Sequence, residues 1–248
     1  MRYLSMLFLL ILSSSARATS YDPILENIKP GTITIVGENH KRIESVEIFQ
    51  SLVSEVIQRH QCVVIGLEIA SGQQNILDEV MQGRSLVSDV ALWPPIDHPA
   101  YRRMLGHFAD LKRRGQCITL AAVDSGSDNV IDRDLWMALS LAEQPENTPI
   151  LVLLGALHTL KRVNWTVRTG RPSVAEILAT MGFRVKAFPQ RWFPDQCAGN
   201  ETRRSRFVSP DSPEALKVLN ESLMSLINAK PHKSARGVVD GFIIWTCA

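Results

Sequence analysis

Three glycines in this chain stand next to groups that can hold a metal ion or move a proton, in Gly37-Glu38-Asn39-His40, Gly66-Leu67-Glu68 and Gly155-Ala156-Leu157-His158. A fourth apolar run, Cys117 to Val123, ends directly in Asp124. Carboxylates and imidazoles gathered at one place suit a divalent cation with oxygen and nitrogen ligands, leaving one position for water. Such an ion lowers the pKa of bound water and polarises a carbonyl, while a free Glu serves as general base. The same residues also work without metal, a Glu polarising a His that activates water. Glu38, His40, Glu68 and His158 are therefore the catalytic candidates, and His40, Glu68, His158 and Asp124 the candidate metal ligands. A structural reading stands beside these, in which His158 and Glu68 form a buried hydrogen-bonded pair. Each motif alone also reads as a turn glycine beside a polar loop residue.

These groups need strands to present them. Thr32 to Val36 is β-branched and uncharged, as befits a strand buried on both faces of a parallel sheet. Ile43 to Arg59 follows with apolar residues on a helical stripe, and Cys62 to Leu67 is a second apolar run. Strand, helix and strand in that order form a βαβ unit with both strand tips on one edge, so Glu38, His40 and Glu68 should converge. Ser71 to Val80, Ala100 to Arg114, Asp132 to Glu143, Ser173 to Gly182 and Pro213 to Ile227 read as helices. Cys117 to Val123 and Ile150 to Leu157 read as strands, Phe183 to Phe188 as an edge strand, and Val238 to Trp245 as a last strand. Gly83 to Pro99, broken by Trp93-Pro94-Pro95, is an irregular insert placed to act as a lid, and Arg191 to Pro210 also looks irregular. The expected fold is α/β, a mostly parallel sheet with helices on both faces and ligands at the carboxyl ends of the strands.

Charge and composition narrow the partners. With 27 Lys and Arg against 25 Asp and Glu in 248 residues, the net charge of +2 gives no reason to expect nucleic acid, and Arg203-Arg204-Ser205-Arg206 reads as a solvated loop. The partner expected is a small-molecule or peptide substrate, with a homodimer left open. Met1 to Ala18 has the order of a secretory signal: a basic start, an apolar block from Leu4 to Leu12, and a small-x-small end that predicts cleavage after Ala18. A single domain over residues 19–248 is expected to follow, periplasmic or secreted, with no run long enough for a membrane helix. Four cysteines in an exported chain favour disulfides. Cys62 and Cys117, each after Gln at a strand entry, pair if those strands are neighbours, which leaves Cys197 with Cys247. The other connectivities, and free buried thiols at the first pair, stay open.

With the tips in place, the chain resembles the TIKI superfamily of ChaN-like, TraB-like and erythromycin-esterase-like proteins. The resemblance rests on Gly37-Glu38-Asn39-His40, Gly66-Leu67-Glu68 and Gly155-Ala156-Leu157-His158 and spans most of the mature chain. Gln74 and the spacing of Trp93, Asp97 and Tyr101 look closest to the ChaN branch. The resemblance implies one of two functions: hydrolysis of an ester or amide at Glu38, His40, Glu68 and His158, with Asp124 as a further ligand, or haem binding in iron uptake. The ChaN branch also implies a lipid-anchoring cysteine, which is missing at the predicted cleavage site. Haem needs an axial Tyr, His or Met, and Tyr101, Met104 and His107 fall on one helical face. Core packing of Met104 with Tyr101 and His107 at its edge accounts for the same spacing. Trp93 and Trp192 read as pocket walls or loop anchors, His60 as a helix-end residue, and His98 and His232 as exposed loop histidines.

Overall fold

Ile33-Thr34-Ile35-Val36 runs through the middle of a seven-stranded sheet and is buried along its whole length. The computed structural model describes residues 21–59, 62–126, 131–167, 169–198 and 201–248. The predicted leader over residues 1–18 and His60 lie outside them. The strands are β1 (Ile33–Glu38), β2 (Val63–Ala70), β3 (Ile118–Asp124), β4 (Ile150–Gly155), β5 (Val185–Trp192), β6 (Arg203–Val208) and β7 (Phe242–Cys247), in the order β3-β2-β4-β1-β5-β7-β6. Every pairing is parallel except that of β6 with β7.

Helices cover both faces, because a parallel sheet of apolar strands must be shielded on each side. One core joins Val36, Ile65, Leu120, Leu151 and Leu153 to α1 (Asp22–Leu25), α2 (Ile43–Gln58), α3 (Gln74–Met81) and α4 (Pro99–Arg113). The other joins Ile33, Ile35, Val64, Val123, Val152 and Leu154 to α5 (Arg133–Ala142) and α6 (Val174–Thr180). Alternate residues of β1 thus feed opposite cores, as the two-residue period of a strand requires. A third cluster holds α7 (Pro213–Leu219) and the π-turn Asn220–Met224 against the end of the sheet.

Several elements differ from the expectation. Of Phe183 to Phe188, expected as an edge strand, Val185 to Phe188 belongs to β5, which lies inside the sheet between β1 and β7. The edge is β6, within the stretch expected to be irregular; its exposed Arg204 and Arg206 alternate with less exposed residues, and a charged outer strand resists pairing with another chain. The helix expected over Pro213 to Ile227 ends at Leu219 and continues as the π-turn. His232, expected to be exposed, is buried: its backbone N–H donates to Asn220 Oδ1 at 2.8 Å and its ring faces Asn164. Burial holds this imidazole below its ordinary pKa.

Both disulfides are present, Cys62 with Cys117 and Cys197 with Cys247. The first joins the entries of the neighbouring strands β2 and β3, and the second ties β7 to the segment after β5.

Candidate functional site

The sheet order places β4 between β1 and β2, so three tips converge on one spot. Glu38 lies opposite Gly155 across the β1–β4 pair. Glycine is required at Gly37, where an added Cβ would sit 2.9 Å from the Cα atoms of Ala156 and Pro189; the backbones after β4 and along β5 close directly over it. Gly155 forms the floor of the site, since a Cβ built there would lie 3.4 Å from both His40 and His158. Glu68 differs from expectation in its setting: β2 runs on to Ala70, and the register against β3 shifts between Leu67 and Ala70. Such an irregularity re-aims a side chain. Here it accompanies a Glu68 whose Oε2 accepts the Gly155 N–H at 2.8 Å.

Each imidazole is held through Nδ1 by a carboxylate. His40 Nδ1 lies 2.9 Å from Glu38 Oε1, and His158 Nδ1 lies 2.9 Å from Asp134 Oδ1. This leaves both Nε2 atoms to face the pocket, with that of His158 4.0 Å from Glu68 Oε1. Asp134 and its neighbour Arg133 open α5, whose N-cap Asp132 accepts a hydrogen bond from Leu135 N–H. A helix that follows β3 begins at the carboxyl edge of the sheet, so its first turn leans over the tips. Arg133 uses that position to bind both oxygens of Asp124 at 2.8 Å and Glu68 Oε1 at 2.5 Å. The expected ligand Asp124 is therefore occupied by a guanidinium fork.

Trp93 closes one side. Its ring stands edge-on to His40, with centroids 5.4 Å apart, and the Arg133 guanidinium lies 5.0 Å from its centroid. The insert expected between Gly83 and Pro99 brings it there, anchored by the fully buried Ile96 and by Arg102 bonded to Asp97.

Charge and burial compete at these groups. Burial lifts the Glu38 carboxyl above its ordinary pKa, against the opposing pull of His40; Glu38 is 2% exposed and its Oε2 has no hydrogen-bond partner. For His40, burial acts downward, but the hydrogen bond to Glu38 and the charges of Glu38 and Glu68 outweigh it and the pKa rises. His158 behaves alike: burial lowers it, Asp134 and Glu68 raise it, and the net shift is upward.

Of the expected haem ligands, Tyr101 is fully buried with its phenol oxygen unpartnered, and burial lifts its pKa well above the ordinary value. His107 lies two turns further along α4, its Nε2 also buried without a partner. Neither lines the cavities at the strand tips. Trp192 is buried and stacks on Trp245 at 5.9 Å, an anchor rather than a site wall.

A cavity of about 220 Å³ opens over the tips, lined by Glu38, His40, Gly155, His158, Arg191 and Leu223 among others. Beyond Leu157 and His158 it meets a groove of about 380 Å³ along Asp134, Val163, Trp165 and Ile227. On the other side of Trp93 a third hollow of about 440 Å³ reaches Asp124 and Arg133.

Fold and site together define an α/β protein with two carboxylate-held imidazoles over a glycine floor at the carboxyl edge of its sheet. No protein-family model and no curated protein matches the chain. Among solved structures the chain is similar to a mutant erythromycin esterase, EreC, in its open conformation, at 12% identity and a TM-score of 0.54 over 91% of this chain and 92% of that one. It is also similar to ChaN of Campylobacter jejuni, described with cofacial haem, at 14% identity and a TM-score of 0.49 over 68% and 85%. The type III effector HopBA1 is more distant, at 11% identity and a TM-score of 0.41 over 69% and 80%. At these identities the likeness to the esterase is one of fold alone, and that fold is the helix-covered, mostly parallel α/β sheet expected from the sequence.

Proposed function

We propose that the chain is an exported hydrolase of esters or amides in which His40 activates water and His158 protonates the leaving group. The observation that carries this is the pair of imidazoles, each held through Nδ1 by a carboxylate and both in reach of the space above Gly155. His40, the more exposed of the two at 29% against 17%, takes the water proton on Nε2 as the water oxygen bonds to the substrate carbonyl carbon. Glu38 stabilises the imidazolium that results. His158 then gives its Nε2 proton to the departing oxygen or nitrogen as that bond breaks. The Glu38 carboxylate already stands 2.9 Å from His40 Nδ1, so no reorganisation is needed as positive charge develops on that ring. Two disulfides support a location outside a reducing cytosol. No helix among the described residues is long and apolar enough to cross a membrane.

A divalent ion is the second reading, favoured by ligand atoms of Glu38, His40 and Glu68 that lie within 4.8 Å of one another. The fit is incomplete. Glu38 Oε1 is bonded to His40 Nδ1, and the oxygens of Glu68 are bonded to Arg133 and to the Gly155 N–H. Within that group a cation would meet free donors only at Glu38 Oε2 and His40 Nε2 unless Arg133 moved aside, with His158 Nε2 free beside the group, so no step is routed through one. The haem reading asks still more, because Tyr101 would have to leave the core to reach iron.

The test is hydrolysis of an activated p-nitrophenyl ester by the mature protein, before and after chelation, with metal content measured on the same sample. Turnover that survives chelation and is lost in His40→Ala is the expected result. Wild-type turnover no higher than that of His40→Ala would contradict the proposal, and bound metal lost in His40→Ala would favour the second reading.

A further inference from the structure

Arg191, on β5, lines the same cavity as His40 and His158, yet nothing proposed for the reaction uses it. Its Nε donates to Ser222 Oγ at 3.0 Å, which fixes the side chain against the π-turn. Among the described residues its two terminal nitrogens have no carboxylate partner. Asp195, the carboxylate whose charge favours its ionised form, is itself paired with Arg42. Burial weighs on this cation enough to lower its pKa. A half-buried guanidinium with an unoccupied fork beside a pocket is a costly arrangement unless something anionic completes it. The same cavity is also lined by apolar Leu157 and Leu226, which are 39% and 62% exposed.

We propose that Arg191 binds an anionic oxygen group of the substrate, a carboxylate or a phosphate, and so orients the scissile carbonyl towards the two imidazoles that share its cavity. The proposal rests on the hydrolytic reading above, and it names the substrate class for that site: an ester or amide that carries an oxyanion on one side of the scissile carbonyl. Arg191 here is a binding residue whose bidentate fork sets orientation; it transfers no proton.

Two measurements separate this proposal from the hydrolytic reading itself. The first compares the p-nitrophenyl hemi-ester of succinic acid with p-nitrophenyl butyrate on wild type and Arg191→Gln. The kcat/KM ratio of anionic to neutral ester should fall about tenfold to a hundredfold, carried by KM, as expected when a charge-assisted bidentate contact is lost. Arg191→Lys, which keeps the charge without the fork, should recover part of that ratio. The second is calorimetric binding of succinate and, separately, inorganic phosphate to the full mature chain at low ionic strength. Binding of either anion that disappears in Arg191→Gln supports the proposal even if neither ester is hydrolysed, and identifies which oxyanion fits. A ratio unchanged in Arg191→Gln, or anion binding that is absent from wild type or unaffected by the substitution, overturns it.

Discussion

The two imidazoles of the site are built by the same device from different materials. His40 is held by Glu38, two residues back on the same strand exit, and that carboxylate is almost wholly buried with one oxygen unpaired. His158 is held by Asp134, which arrives from the first turn of α5 and also accepts the Val174 N–H at 3.1 Å. The first pair is local and short of partners, whereas the second is assembled from three parts of the chain and fully bonded. The difference teaches a division of labour. A histidine whose orienting carboxylate is buried gains most from becoming charged, which suits a base. One embedded in a completed network is better suited to keeping its proton until it is needed.

Removing the local pair should have the largest effect. His40→Ala should lower kcat on an activated ester by about 10²- to 10⁴-fold, the range of a positioned general base, measured at saturating substrate. Next comes the guanidinium that joins the two halves. Arg133→Met leaves Glu68 and Asp124 buried without their counter-charge, a change that costs about 3–5 kcal/mol for a fully buried pair. Because the Arg133 side chain is 36% exposed, about 2–3 kcal/mol is expected, read as a lower urea midpoint.

The floor separates packing from chemistry. Gly37→Ala drives a Cβ to 2.9 Å from backbone that cannot rotate away, and should destabilise the fold by about 1–3 kcal/mol. Gly155→Ala places its Cβ at 3.4 Å from both rings, an ordinary contact, so stability should change by less than about 1 kcal/mol while activity falls modestly.

The gentlest test acts on the remote pair alone. Asp134→Asn removes the charge that raises His158 and should move the alkaline limb of the pH–rate profile to lower pH. Stability should follow the same sign. A His with a raised folded pKa contributes stability that is fully present below about pH 6.5 and is lost as pH rises through the folded value. The variant should therefore lose more stability at pH 6 than at pH 8, and an equal loss at both would mean that Asp134 acts only as a hydrogen-bond acceptor.

What could be read from the sequence follows the same line between local and assembled. Glu38, His40, Glu68 and His158 stand at the ends of apolar runs, and strand ends in an α/β sheet share an edge; their meeting was legible for that reason. Arg133 and Asp134 were not, because charged residues just after an N-cap look like an ordinary solvated first turn, and only the sheet order aims them inward. Arg191 was hidden likewise. Phe183 to Phe188 interleaves Arg184 and Lys186 and so reads as an edge, and nothing local shows that two more strands pack beyond it. Trp93 stood out as an aromatic in an irregular insert, but its place over His40 depends on how that insert folds back.

A double-mutant cycle between His40→Ala and His158→Ala, read as kcat on an activated ester, tests most directly whether the two imidazoles act as one site. The account predicts a double variant little slower than the slower single one, since neither histidine completes the reaction without the other. Full multiplicative loss, or wild-type turnover in either single variant, would contradict it.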